Sequence, residues 1–374
     1  MTVLSACRRR YPPGACGLRW RRWLQLLDLS DLDGRRGAFL QVRTKMNEAM
    51  KKHLESLCLF QWVLTFLFMG IFWTVVLFYL MFTSLWLIPV LYYIWVFIDR
   101  DTPERGGRCS SWLRNWVVWK YAKNYFPIKT IKTADLSPDR NYIFGCHPHG
   151  IMCTGAFYSF ASNSTEFPQK FPGIRTTVAV LAGILRLPVY RDYMLLAGVC
   201  SVSKPSLDYV LSKNGTGNAV VIMIGGAAES LNCVPGEERV VLRNRKGFVR
   251  LALEHGADLV PVYTFGENNL FEQVVFEEGS WGRSLQMKFQ KLVGFAPCIF
   301  KGRGVFSPNS WGLNPFAKPL YTVLGKPIRV PHIPVPSDEE VDRFHELYME
   351  GLRELFEERK TQYGLAPAHQ LHFI

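Results

Sequence analysis

The sequence has no cysteines at CxxC spacing: its nine (Cys7, Cys16, Cys58, Cys109, Cys146, Cys153, Cys200, Cys233 and Cys298) are scattered and odd in number. That excludes a small disulfide-stapled scaffold and points to free thiols in a reducing compartment. Internal repeats and low-complexity tracts are also absent. With 48% hydrophobic and 20% charged residues over 374 positions, a disordered chain is excluded as well. Acidic residues are scarce, 31 against 44 basic ones, and the excess is front-loaded: the first 56 residues hold 12 basic and 5 acidic side chains. A basic segment ahead of an apolar one is the pattern of a membrane-proximal arm, not of a nucleic-acid groove, so no nucleic-acid partner is expected.

The sharpest absence is charge itself. From Leu57 to Ile98, 42 residues include no Asp, Glu, Lys, Arg or His. About 20 apolar residues cross a bilayer, so the run is long enough for two passes, and a soluble helix this apolar would have no face for water. Thr83-Ser84, followed by Pro89, divides it into Leu57–Phe82 and Leu85–Ile98. The second part makes about 21 Å of helix against a hydrocarbon core of roughly 30 Å, a wedge that does not fully cross. Lys51 and Lys52 before the run, and Arg100, Arg105, Arg108 and Arg114 after it, place both ends in the cytosol. The run starts too late and is too long for a secretory signal. The expected organisation is therefore a poorly structured basic arm (1–56) with an amphipathic patch near Trp20–Leu29, a membrane-embedded helical hairpin (57–98), and one cytosolic domain (99–374).

Within that domain, short apolar runs at Asn141–Phe144, Ala219–Ile224 and Leu259–Phe265 read as strands. Pro205–Leu211, Lys246–Glu254 and Asp338–Lys360 read as helices, the last opened by a capping box of Ser337 and Glu340. The alternation predicts an α/β fold, a central sheet flanked by helices.

His147-Pro148-His149-Gly150 follows the first strand, so two imidazoles emerge where α/β sheets place their sites. A histidine there can take a proton from a hydroxyl at neutral pH, although paired histidines also serve structurally. Cys146 and Cys153 flank them, but four zinc-type donors within eight residues, interrupted by a proline, would struggle to surround one ion, and no metal is expected. Gly225-Gly226-Ala227-Ala228-Glu229 ends the next strand. Glycines there let backbone approach a ligand, and Glu229 supplies a carboxylate. Arg243, Arg245, Lys246 and Arg250 then open a helix, four cations that suit a polyphosphate or a solvated surface.

These residues, with Tyr125-Phe126-Pro127, Phe265-Gly266-Glu267-Asn268 and the charge-free run, resemble the type-2 diacylglycerol acyltransferase family, which includes monoacylglycerol acyltransferases and wax synthases. The resemblance extends in order from about residue 50 to the end. It implies an acyl-CoA-dependent O-acyltransferase of the endoplasmic reticulum membrane whose site combines His149 as base, His147 orienting the loop or sharing the proton, and Glu229. Gly150, Gly225, Gly226, Arg245, Lys246, Tyr125, Phe126 and Pro127 are the implied substrate-binding residues. Acyl-CoA is the implied co-substrate, with no cofactor. Monoacylglycerol, diacylglycerol and membrane lipids are the implied partners, and homo-oligomerisation is left open.

More distantly, the order of histidine, strand-Gly-Glu, Lys-Gly-helix and Val-Pro resembles the glycerophosphate acyltransferase superfamily, where an aspartate follows the histidine by five residues; here Thr154 stands in that place after His149. Glu229 or the backbone must then orient the imidazole. Glu229 is followed by Ser230-Leu231 instead of a phosphate-binding arginine, which fits a neutral acceptor. The family's Phe-Leu-x-Leu lipid motif reads Phe66-Leu67-Phe68-Met69. Ile151–Gly155, Leu187–Tyr193 and the final Phe373-Ile374 favour 2-monoacylglycerol as acceptor with diacylglycerol second, whereas Glu277–Arg283 looks more like the diacylglycerol enzyme. A diacylglycerol acyltransferase proper, a wax-ester enzyme acting on a fatty alcohol, and Cys146 as an acyl-carrying nucleophile are the alternatives. A non-catalytic scaffold is disfavoured by the intact His147, His149 and Glu229.

Overall fold

The computed structural model describes residues 29–293, 295–307 and 309–374; the arginines at 8–10 and 21–22, most of the patch near Trp20–Leu29, Cys7 and Cys16 lie outside them. The chain divides into two compact units, Met1–His53 and Leu54–Ile374. Leu29–Leu64 is one helix, so residues 29–56 are helical where composition predicts a loose arm. Good helix formers (Arg, Lys, Met, Glu, Ala, Leu) predominate there.

The charge-free run continues as a π-helical turn, Thr65–Met69, and a helix, Gly70–Leu80. The stretch Asn47–Leu80, with mean hydropathy 2.3 in its most apolar window, is long and apolar enough to cross a membrane. Residues 81–86 leave the helix, where Thr83 Oγ1 donates to the Leu80 carbonyl at 3.0 Å and accepts from Leu85 N at 3.1 Å. A second helix, Leu87–Ile98, follows with Pro89 in its first turn, where a missing N–H costs nothing. Its 12 residues span about 18 Å. Not all of the run is free surface: Leu59, Trp62 and Val63 are buried in the core, while Ile71, Phe72, Val75, Phe78 and Phe82 are exposed. The charge-free run thus packs one face of its first turns, through Leu59, Trp62 and Val63, into the domain core, and turns most of its later apolar side chains outward.

Twelve strands are described: β1 (Ile128–Lys132), β2 (Tyr142–His147), β3 (Arg175–Val180), β4 (Val199–Ser201), β5 (Asn218–Met223), β6 (Arg239–Val240), β7 (Asp258–Phe265), β8 (Glu272–Val274), β9 (Ile299–Arg303), β10 (Trp311–Gly312), β11 (Leu320–Leu324) and β12 (His372–Phe373). Seven form the central sheet in the order β1-β11-β7-β2-β5-β3-β4. β7, β2, β5, β3 and β4 run parallel, and the β11–β1 pair runs opposite to them. The three central strands β7, β2 and β5 are buried on both faces, as parallel strands under helices must be. Pro261 is tolerated in β7 because the β11 ladder stops at Leu324↔Val262. Its carbonyl accepts from Gly325 N at 2.8 Å, on the side where its absent N–H would have pointed.

One face of the sheet packs on aromatics such as Trp119, Phe144, Tyr158 and Phe160, together with Trp62 from the apolar helix. The other face packs on Phe248, Tyr348, Leu352 and Phe356 from the helices Gly247–His255 and Asp338–Arg359. The predicted capping box is formed: Glu340 N donates to Ser337 Oγ at 3.2 Å and Ser337 N to Glu340 Oε2 at 2.8 Å. The described cysteines are all free.

Candidate active site

Three adjacent parallel strands deliver the chemistry from their carboxyl ends. β2 ends in His147 and the loop through Gly150, β5 leads to Gly225 and the short helix Gly226–Ser230, and β7 leads to Gly266 and Glu267.

The two histidines part company. His147 is fully buried on the Tyr348 side of the sheet. Tyr348 Oη donates to the Gly145 carbonyl at 2.9 Å, so the 3.0 Å contact from His147 Nε2 is a donation to that hydroxyl, leaving Nδ1 buried without a partner. Burial holds this imidazole neutral, with a pKa lowered to about 3. Gly145 makes the arrangement fit, because a Cβ there would meet Tyr348 Oη at 1.9 Å.

His149 is half-buried and lines a cavity of about 440 Å³. Its Nδ1–H donates to the Gly150 carbonyl at 2.9 Å, which leaves Nε2 as the basic nitrogen. Burial lowers its pKa below the ordinary value, against the opposing pull of that backbone bond. Cys153 Sγ lies 3.4 and 3.5 Å from the two ring nitrogens.

Two buried carboxylates clamp this loop from either side. Glu229 Oε1 accepts the backbone N–H of His149 at 2.5 Å and Oε2 that of Val241 at 2.7 Å. It grips the main chain and leaves the imidazole to Gly150, so the backbone, not Glu229, orients the ring. Glu267 accepts Thr154 N at 2.7 Å and Gly155 N at 2.8 Å. Burial raises both carboxyls to about 7, offset in part by these N–H bonds and, for Glu229, by Arg245. Gly150 sits over Glu267 at φ +60°, where a Cβ would lie 2.6 Å from Glu267 Cγ; a Cβ on Gly225 would lie 2.0 Å from Glu229 Oε2.

Glu267 belongs to a motif legible in the sequence but is absent from the residues the sequence nominates. The available signal was its place just past a glycine at a strand end, the same setting as Glu229.

The cavity is walled mainly by apolar side chains, among them Phe157, Tyr190, Tyr193 and Met194, with Trp62 and Phe66 contributed by the apolar helix and its π-turn. Gly226 and Arg245 also line it. Lys246 does not: it pairs with Asp342 at 2.5 Å. Arg250 bonds to Asp338, and Arg243 Nε donates to the Phe373 carbonyl at 2.9 Å. Of the four cations, Arg245 is therefore the one at the cavity.

Tyr125-Phe126-Pro127 also lies apart from the cavity lining. Tyr125 Oη donates to the Pro315 carbonyl at 2.7 Å and Phe126 is fully buried, so the pair anchors the start of edge strand β1. Burial pushes the Cys146 thiol up, away from a nucleophilic thiolate. Among the described residues, the three metal-type side chains that converge within 4.8 Å are Asp208, Glu254 and His255, none of them in the histidine loop.

Comparison with known proteins gives a consistent picture. Residues 78–374 match the family model described as diacylglycerol acyltransferase. The chain is 56% identical over 323 residues to diacylglycerol O-acyltransferase 2 of Xenopus laevis, covering 86% of this chain and 90% of the relative. It is 55% identical over 316 residues to the Homo sapiens protein of that name, covering 84% and 81%. It is 54% identical over 335 residues to 2-acylglycerol O-acyltransferase 3 of Homo sapiens, covering 90% and 98%.

Proposed function

Because the chain belongs to the diacylglycerol acyltransferase family and is an acyltransferase, we propose that it moves a fatty acyl group from acyl-CoA to the free hydroxyl of 2-monoacylglycerol, with diacylglycerol as a second acceptor. His149 Nε2 takes the hydroxyl proton as the oxygen attacks the thioester carbonyl. The tetrahedral oxyanion collapses with cleavage of the C–S bond, and the proton passes from the imidazolium to the departing CoA thiolate. The products are the new ester and free CoA. The step uses acyl-CoA as co-substrate and needs no metal, cofactor or acyl-enzyme. Backbone N–H groups near Gly150 or Gly225-Gly226 would stabilise the oxyanion, an effect worth about 3–4 kcal/mol per donor in other acyl-transfer sites.

The observation that carries this reading is the pairing of His149, its Nε2 left basic by the Nδ1–Gly150 bond, with an apolar cavity whose wall includes Trp62 and Phe66. Such a cavity suits an acyl chain, and Arg245 beside it suits the phosphates of CoA. His147 and Glu229 are positioning residues in this scheme. The exposed apolar side chains of Gly70–Leu80 and Leu87–Ile98 support a membrane-embedded hairpin, and the basic flanks Lys51, Lys52, Arg100 and Arg105 support both ends facing the cytosol; the endoplasmic reticulum is the membrane that the family membership suggests. Acyl chain and glyceride would then meet the site from the lipid while CoA stays in water.

The test is transfer of labelled oleoyl from its CoA ester in membranes carrying this chain, with 2-monoacylglycerol, diacylglycerol and a long-chain alcohol offered in parallel. Labelled diacylglycerol, abolished by His149→Ala, is expected. Label only in triacylglycerol from added diacylglycerol, or only in wax ester, would overturn the acceptor. Unchanged turnover in His149→Ala would overturn the mechanism.

A further inference from the structure

The helix Trp281–Val293 is amphipathic in an inverted sense. Its polar face holds the domain: Arg283 Nη1 donates to the Leu231 carbonyl at 3.2 Å and Nη2 to Asn232 Oδ1 at 2.5 Å, and Gln286 Nε2 donates to the Pro297 carbonyl at 3.0 Å. Its apolar stripe faces outward. Trp281, Leu285 and Phe289, four residues apart, are 81%, 53% and 42% exposed. Surface helices of water-soluble domains do the opposite.

The surroundings say what covers the stripe. Lys288 and Lys291 are exposed beside it, and no acidic residue occurs from Gly279 to Cys298, so the patch complements an anionic surface. It is also joined to the apolar run. Gln290 of this helix, with Phe295 and Ala296 just beyond it, lines the same cavity as Trp62 and Phe66. Ser56, where that run begins, donates from Oγ to the Val305 carbonyl at 2.7 Å, close in sequence to Trp311, which is 71% exposed.

We propose that Trp281–Val293 is a second, in-plane membrane anchor, with Trp281, Leu285 and Phe289 inserted at the boundary between headgroups and acyl chains and Lys288 and Lys291 at the phosphates. The inference rests on the membrane placement proposed above and adds a contact outside the charge-free run. Two lipid-facing elements then bracket one cavity, and the helix holds that side of it against the leaflet from which an acylglycerol would enter.

Site-specific photo-crosslinking of the full chain, reconstituted in phosphatidylcholine–phosphatidylserine vesicles with a labelled phospholipid, tests this without relying on turnover. p-Benzoylphenylalanine is placed singly at Trp281, Leu285 and Phe289, at Phe78 in the apolar helix, and at the exposed Val335 as the water-facing control. Lipid adducts at the three helix positions at least tenfold above the Val335 level are expected. Adducts at Phe78 with none on the helix, or crosslinks from the helix to a second copy of the chain, would overturn the proposal. Silence at Phe78 as well would remove the membrane placement and the anchor together, a result distinct from failure of the anchor alone.

Discussion

The Glu229 carboxylate accepts the main-chain N–H of His149, 2.5 Å away, and so holds the proposed base by its backbone. Glu229→Ala leaves that N–H and the one on Val241 without their acceptor, a loss of about 1–3 kcal/mol for each. The expected outcome is a kcat about 10²-fold lower with the KM for acyl-CoA nearly unchanged, because a displaced loop misplaces the imidazole. Steady-state kinetics with both parameters resolved, alongside the thermal midpoint in detergent, separates this from simple unfolding.

Gly150 and Glu267 form a coupled pair. Gly150→Ala sets a Cβ against Glu267 at a left-handed φ of +60° and should cost both stability and rate. Glu267→Ala removes the obstruction and also the acceptor of Thr154 N and Gly155 N. The double variant is therefore expected to be less impaired than the sum of the singles by about 0.5–3 kcal/mol, the range of contacting residues. A double-mutant cycle on thermal midpoints reads this directly, and strict additivity would contradict it.

Acid acts on the site in two opposing ways. His147 and His149 titrate lower in the fold than unfolded, so their contribution is lost as pH falls below about 6.5. Glu229 and Glu267 titrate higher, from 4.5 to about 7, so theirs is complete below about 4.5 and lost as pH rises toward 7. Between about 4.5 and 6.5 the two effects offset each other. Combining Glu229→Gln with Glu267→Gln removes one side, and that variant should lose more thermal stability than the wild type between pH 6.5 and pH 5. For activity, the acid limb of kcat/KM should fall below pH 6.5, since His149 must be neutral to act as base.

The adjacent cations Arg245 and Lys246 are expected to differ sharply. Arg245 lines the cavity, whereas Lys246 is paired with Asp342. Arg245→Ala should raise the KM for acyl-CoA about tenfold, the scale of one charge-assisted contact, and Lys246→Ala should change it less than about twofold. Equal effects would mean that the pair with Asp342 opens when CoA binds.

What the sequence revealed and what it hid divide on physical lines. β2, β5 and β7 are legible because strands buried on both faces must be apolar throughout, and the capping box at Ser337 is legible because its partners are three residues apart. β1 does not stand out, since the edge strand Ile128–Lys132 interleaves two lysines with its apolar residues. Within the site, the histidine loop, Glu229 and Arg245 announce themselves by residue type. The partition of His147 from His149 does not, because it depends on Tyr348, 201 positions away. Tyr125 and Phe126 look like site residues in the sequence yet serve the core, and Lys246 looks free yet answers to a carboxylate 96 positions on.

The short helix Leu87–Ile98 ends at Asp99, which is gripped by Arg191 at 2.7 Å and by Arg108 at 3.0 Å, while Tyr92 bonds to Asp192 at 2.9 Å. Helix and domain are thus riveted at two points seven residues, about two turns, apart, which opposes any sliding of one against the other. With the membrane placement proposed above, such a molecule would have a fixed draught: the level at which its cavity meets the lipid would be set by the protein and not by the bilayer. A thicker or thinner membrane would then have to deform around it, and the depth from which acyl chains are drawn would stay constant.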